Sequence, residues 1–206
     1  MNAQVTGAGR WRSPRFQPGA EAVAAWAAET LGGIGAGAEA LCVATLDSGA
    51  RESVHFWQAS RASGLAYANP RPFPWTLANS PTGRIAQNLG VRGPTFTIVG
   101  RADALTAALD QALEELASRR VGRVLVAALD GITLEETRLA AVSLVDFDGD
   151  GDGSLTTVAT ASRPARTAIV AHDTASETLA AVIDRLGAGE AAAVGSDRDG
   201  WFEFQP

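Results

Sequence analysis

One stretch of this chain limits its fold more than any other. From Asp103 to Ser118 apolar side chains recur on a single helical face, at Leu105, Leu109, Ala112, Leu113 and Leu116. Strand-like runs stand on both sides of it: Thr95 to Val99 before, then Val121 to Leu129 and Leu139 to Phe147 after. The two later runs are almost continuously apolar, as strands covered on both faces must be. Strand, helix, strand, strand in that order predicts an α/β domain with a partly parallel sheet.

The rest of the chain fits the same scheme. Residues 3–7 read as a short strand, Glu21 to Leu31 as a helix with Val23, Trp26, Ala27 and Leu31 on one face, and Ala40 to Leu46 as a buried strand. A short helix is expected over 52–61, followed by a loop that holds Pro70, Pro72 and Pro74. Ser80-Pro81 marks a helix start, with serine as the cap, and Gly90 ends that helix. The Gly/Asp turn at 148–153 predicts a hairpin from 139–147 into Leu155–Thr160. The last forty or so residues read as strand (Thr167–Ala171), helix (Thr174–Leu186) and two short strands (Ala191–Val194, Trp201–Phe204). Thr174 and Glu177 have capping-box spacing. No internal repeat is visible in the sequence.

Charge and composition remove whole classes of function. A formal net charge of −6 argues against nucleic acid as a partner, because phosphate binding needs clustered positive charge. All 17 basic residues are arginine, which excludes lysine Schiff-base chemistry and a Walker-type phosphate lysine. The single cysteine, Cys42, permits no internal disulfide. Residues 1–18 lack the apolar core of a signal peptide, and no run approaches the roughly 20 apolar residues of a membrane span. A cytoplasmic protein with no membrane contact, no metal and no cofactor is the expectation.

Residues 79–146 resemble the nucleophile region of the β-ketoacyl synthases, the ketosynthase branch of the thiolase fold. The likeness is carried by Asn79-Ser80-Pro81-Thr82-Gly83, Ile85-Ala86, Leu89-Gly90, Arg92-Gly93-Pro94 and Thr97. It continues through Ala107-Ala108-Leu109, Ala112, Val124-Leu125-Val126-Ala127 and Ala140-Ala141-Val142-Ser143-Leu144-Val145. Val5-Thr6-Gly7-Ala8-Gly9 resembles the family's first strand and turn. The likeness is weak over 10–70 and stops at 165. It implies a thiolase-like layered fold, in its N-terminal half only, with a mixed, mostly parallel sheet around a central buried helix. Residues 1–165 would form that half domain, and 166–206 would be a strand–helix–strand–strand extension packed on it.

The resemblance also says where the chemistry should be. Such enzymes carry a cysteine at the start of the buried helix, where unpaired N–H groups and about half a positive charge favour a thiolate and an oxyanion. Counting from Gly93-Pro94 puts that cysteine at position 102, which here is Ala102. A methyl group cannot attack a thioester. The match is closest in style to chain-length factors, the catalytically degenerate partners of active ketosynthases. Those usually carry glutamine at this position, so Ala102 departs from them as well. The family's catalytic histidines lie in its second half; Ala171-His172-Asp173 has a faint likeness to one of those motifs.

The remaining candidates each have a functional and a plain reading. Cys42 is a displaced nucleophile or an inert buried thiol, and no histidine lies close to it in sequence. His55 is a site residue or a packed or surface histidine. Asp146-Phe147-Asp148-Gly149-Asp150-Gly151 matches the first half of a calcium loop, but Thr157 stands where a bidentate glutamate is required. Asp103 is a helix cap or a general base. Phe73, Trp75 and Leu77 wall an acyl pocket, as the resemblance implies, or anchor a proline-rich loop.

Two functions follow. The first is a non-catalytic, chain-length-factor-like subunit of a type II fatty acid or polyketide system. It would pair with an active ketosynthase or with itself through the strand Thr95, Phe96, Thr97, Ile98 and Val99, and an acyl carrier protein is a further expected partner. The second is an acyl-thioester hydrolase or acyltransferase with an unrecognised nucleophile.

Overall fold

The computed structural model of the chain describes residues 2–13, 19–131, 136–146, 157–161, 168–196 and 200–206. Its strands are β1 (Asn2–Arg12), β2 (Ala40–Thr45), β3 (Thr95–Val99), β4 (Arg123–Asp130), β5 (Arg138–Asp146), β6 (Thr157–Ala161), β7 (Ala168–Ile169), β8 (Ala192–Ser196) and β9 (Gly200–Gln205). The helices are α1 (Ala20–Leu31), α2 (Ala50–Ser63), α3 (Ser80–Leu89), α4 (Asp103–Ala117) and α5 (Ala175–Gly187).

All the described strands join one sheet in the order β3-β2-β4-β5-β1-β6-β9-β8-β7. In its first arm β2 pairs parallel with β3 and β4, and β5 pairs antiparallel with both β4 and β1. Four of these five strands therefore run one way and only β5 is reversed. This is the mixed, mostly parallel sheet expected from the sequence.

The forecast of a first half-fold holds for residues 2–146, but the sheet does not stop there. β6 pairs with β1 and β9, β9 with β8, and β8 runs parallel to β7. From the centre outward, the second arm reads first strand, last strand, then the two joined by a helix. The first arm likewise runs β1, β5, β4 from the centre, but there α4 enters β4 from the edge strand β3, with β2 lying between the two. The described strands within 157–206 thus extend the sheet beyond β1. The expected hairpin from β5 into β6 does not form, because β4 and β1 already occupy both edges of β5; residues 147–156, with most of the calcium-loop-like run, lie outside the described residues.

The layers follow from the apolar patterns. One core sets Val23, Ala27 and Leu31 of α1 and Ile85 of α3 against Leu41, Val43, Leu125 and Leu139. The other holds Leu105, Leu109, Leu113 and Leu116 of α4 and Leu179 and Val182 of α5 between Cys42, Val126 and Leu144 of the first arm and Val194, Phe202 and Phe204 of the second. The helix forecast from its period alone is therefore the buried one. It shares the middle layer with α5, whose start is fixed as expected: Thr174 Oγ1 accepts the Glu177 N–H at 3.3 Å.

Candidate functional site

At the carboxyl end of the first-arm strands the chain turns from β3 into α4. Gly100 N–H donates to Thr45 O at 2.9 Å, holding the turn to the end of β2. Ala102 then takes helical dihedrals (φ −60°, ψ −28°) and stands at the capping position. It lines a cavity of about 170 Å³ together with Asp103 and Thr106 and, from the second arm, Val170, Thr178 and Ser196. A strand does enter a buried helix here, and the residue it presents is alanine. Asp103 lies one position past the cap, so it contributes charge to the first turn instead of the side-chain cap expected.

The cavity holds no activated nucleophile among the hydroxyls whose partners are defined. Thr106 Oγ1 donates to Asp103 O at 2.7 Å and Thr178 Oγ1 to Thr174 O at 2.9 Å. Both protons are thereby committed to backbone carbonyls instead of a general base. His172 is exposed, its backbone N–H donates to Thr178 Oγ1 at 3.2 Å, and the preceding Ala171 lines the cavity. The faint histidine likeness thus falls on a segment beside Ala102.

Cys42 lies elsewhere, fully buried on β2. Burial, and secondarily the charge of Glu115, pushes its thiol up to about 12. A thiol this hard to ionise is a packing group and not a nucleophile. Among the described residues no group of three or more His, Cys, Asp or Glu side chains could hold a metal ion, and no described helix is long and apolar enough to cross a membrane.

The residues forecast to wall an acyl pocket lie in or next to the short helical turn Phe73–Thr76. Phe73 meets Phe56 edge to face, with ring centroids 5.7 Å apart. Phe73 and Leu77 are each about half exposed, whereas Trp75 packs on the outer core and lines a separate cleft between α1 and α2. Their turn is seated where Gly49 (φ 76°) lets the chain come close: a Cβ there would lie 2.7 Å from Thr76 O. Ser80, forecast as a cap, is inside α3, and its hydroxyl donates to Pro74 O. The forecast pairing strand β3 is an edge of the described sheet, and β2 is its one strand neighbour there.

Sequence reading missed Asp130. It ends β4 almost fully buried, accepting Leu46 N–H at 2.7 Å and Ser176 N–H at 2.8 Å. One carboxylate therefore ties the end of β2 to the start of α5, joining the two arms at the end of the sheet where Ala102 lies. The signal was an acid closing an apolar run, directly before Gly131.

The reversed fifth strand, the second arm continuing across β1 and β6, and two helices between the arms define a thiolase-like fold of the ketosynthase kind. The solved structures it resembles include a ketosynthase (ApeO) in complex with its chain length factor (ApeC) from Xenorhabdus doucetiae. That likeness has a TM-score of 0.62 at 12% identity and covers 100% of each chain. The ishigamide ketosynthase/chain length factor gives 0.58 at 14% identity over 80% of this chain and 71% of that one. A 3-oxoacyl-[acyl-carrier-protein] synthase III from Aquifex aeolicus VF5 gives 0.53 at 11%, over 98% of both. No family profile and no curated protein matches the sequence.

Proposed function

We propose that this protein is a non-catalytic, chain-length-factor-like subunit that pairs with an active ketosynthase or with a second copy of itself in fatty acid or polyketide synthesis. The observation that carries this reading is Ala102 at the turn into α4, lining a cavity whose threonine hydroxyls are already committed. Solved ketosynthase–chain length factor structures of the same fold support it.

Pairing runs through the outer edge of β3. A free edge is ordinarily blunted by charge, proline or a covering element, yet this one reads Thr-Phe-Thr-Ile-Val with Val99 56% exposed. α3 lies against β3, with Thr97 Oγ1 donating to Thr82 Oγ1 at 2.7 Å. Phe73 and Leu77, each about half exposed beside α3, offer apolar surface to a partner's acyl channel, with Trp75 of the same turn packed on the outer core.

Co-expression with an active ketosynthase tests the reading. The expected result is a complex of one copy of each that releases no acyl group from a carrier thioester when the ketosynthase cysteine is replaced. Hydrolysis or transfer by the complex in that state would favour the enzyme reading instead.

A further inference from the structure

The acidic residues of this chain are unevenly spread. Residues 53–102 contain no aspartate or glutamate, although the chain has 23 acidic residues and a formal net charge of −6. The same stretch holds five arginines, Arg61, Arg71, Arg84, Arg92 and Arg101. All are exposed, and none has a hydrogen bond or ion pair among the described residues. The exposed large apolar side chains of the described residues concentrate in the same place. Val54, Trp57, Tyr67, Phe73, Leu77 and Val99 lie inside the stretch and Leu46 shortly before it. Exposed apolar patches mark interaction sites, and the charge around them decides which partner is accepted.

β3 lies within this stretch and has an arginine beyond each end, Arg92 before it and Arg101 after it. Leu41 N–H donates to Pro94 O and Gly100 N–H to Thr45 O. Strand alternation therefore leaves the backbone groups of Thr95, Thr97 and Val99 turned outward. A two-fold axis that uses all three passes through Thr97 and sets Thr95 against Val99 of a second copy. The same register sets Arg101 of each chain against Gly93 of the other, next to Arg92. Two arginine pairs would thus meet, one on each side of the axis, and like charges facing each other across paired strands are destabilising. The nearby acids are engaged elsewhere. Asp103 lines the cavity between the arms. Glu39 shares a cleft with Arg92 and Arg120, and its Oε2 accepts the Gly122 N–H at 2.7 Å.

We propose that the β3 edge discriminates against a second copy of this chain and selects an unlike chain whose own edge strand is flanked by aspartate or glutamate. Arg92 and Arg101 are the residues that set this choice, repelling the wrong partner and attracting the right one. The proposal rests on the β3 pairing put forward above and narrows its partner.

Light scattering over a range of concentrations, on the full chain and on charge-reversed variants with unchanged circular dichroism, tests it. The native chain should have the mass of a single copy. Arg92→Glu, which brings an acid beside Arg101 on both sides of the axis, should pair with itself about tenfold or more tightly than the native chain does. Arg92→Glu combined with Arg101→Glu should be single when alone and should pair one to one with the native chain, more weakly as salt is raised. Self-pairing of the native chain would overturn the proposal, and its loss in Thr97→Pro would show that the β3 edge still stands as the pairing site. No pairing in either Arg92→Glu or the mixture would also overturn it, while a complex with an active ketosynthase that Thr97→Pro disrupts would leave the β3 reading intact.

Discussion

Two side chains at the carboxyl end of the sheet set the character of this molecule. Ala102 puts a methyl group at the turn into α4, beside a cavity built from both arms. Asp130 holds the ends of β2 and α5 together through two backbone N–H groups. Burial raises the Asp130 carboxyl above its ordinary value, against the lowering effect of those N–H groups, and the charge of Asp47 adds to the rise. An acid that holds its proton more tightly when folded contributes stability in full below the ordinary carboxylate range. That contribution is lost as pH rises through the folded-state pKa. In Asp130→Asn the titration is gone, and one N–H loses its acceptor at a cost of about 1–3 kcal/mol. Urea midpoints across about pH 4 to 8 should therefore show the advantage of the native protein over Asp130→Asn shrinking as pH rises. An advantage that grows with pH would contradict the assignment. None of this was readable beforehand, because an acid at the end of an apolar run is silent about which N–H groups will surround it.

Among the elements, β3 carries the proposed pairing, and its register decides how that is tested. Leu41 N–H donates to Pro94 O and Gly100 N–H to Thr45 O. By the two-residue alternation of a strand, residues 94, 96, 98 and 100 turn their backbone groups toward β2, and Thr95, Thr97 and Val99 turn theirs outward. Proline at Ile98 would damage the sheet itself; proline at Thr97 removes an outward donor. Thr97→Pro is expected to give the mass of a single chain by light scattering, whereas Thr97→Val, which also loses the bond to Thr82, stays paired. Pairing that survives Thr97→Pro would rule out the β3 edge. The elements most legible in the sequence were those with local causes: α4 from its apolar period, α5 from Thr174 and Glu177, α3 from Pro81 and Gly90. The β5–β6 hairpin was misread because its outcome rests on β1, more than a hundred residues away, having taken the open edge of β5.

At the scale of the molecule, the strand order of the second arm is what the sequence concealed. β7 is two residues long and β6 five, too short to display a period, so their place in the sheet emerges only from the strand order. Its consequence is that α4 is enclosed from both sides and the cavity at Ala102 is built from both arms. The proposed function rests on Ala102 standing where the resemblance places an acyl-accepting cysteine. Intact mass measured after incubation with an acyl thioester, for the native chain and for Ala102→Cys, tests this directly. The native protein should gain no mass, and Ala102→Cys should gain one acyl group that maps to position 102. Acylation of the native chain, or an Ala102→Cys variant that folds and stays unlabelled, would contradict the account.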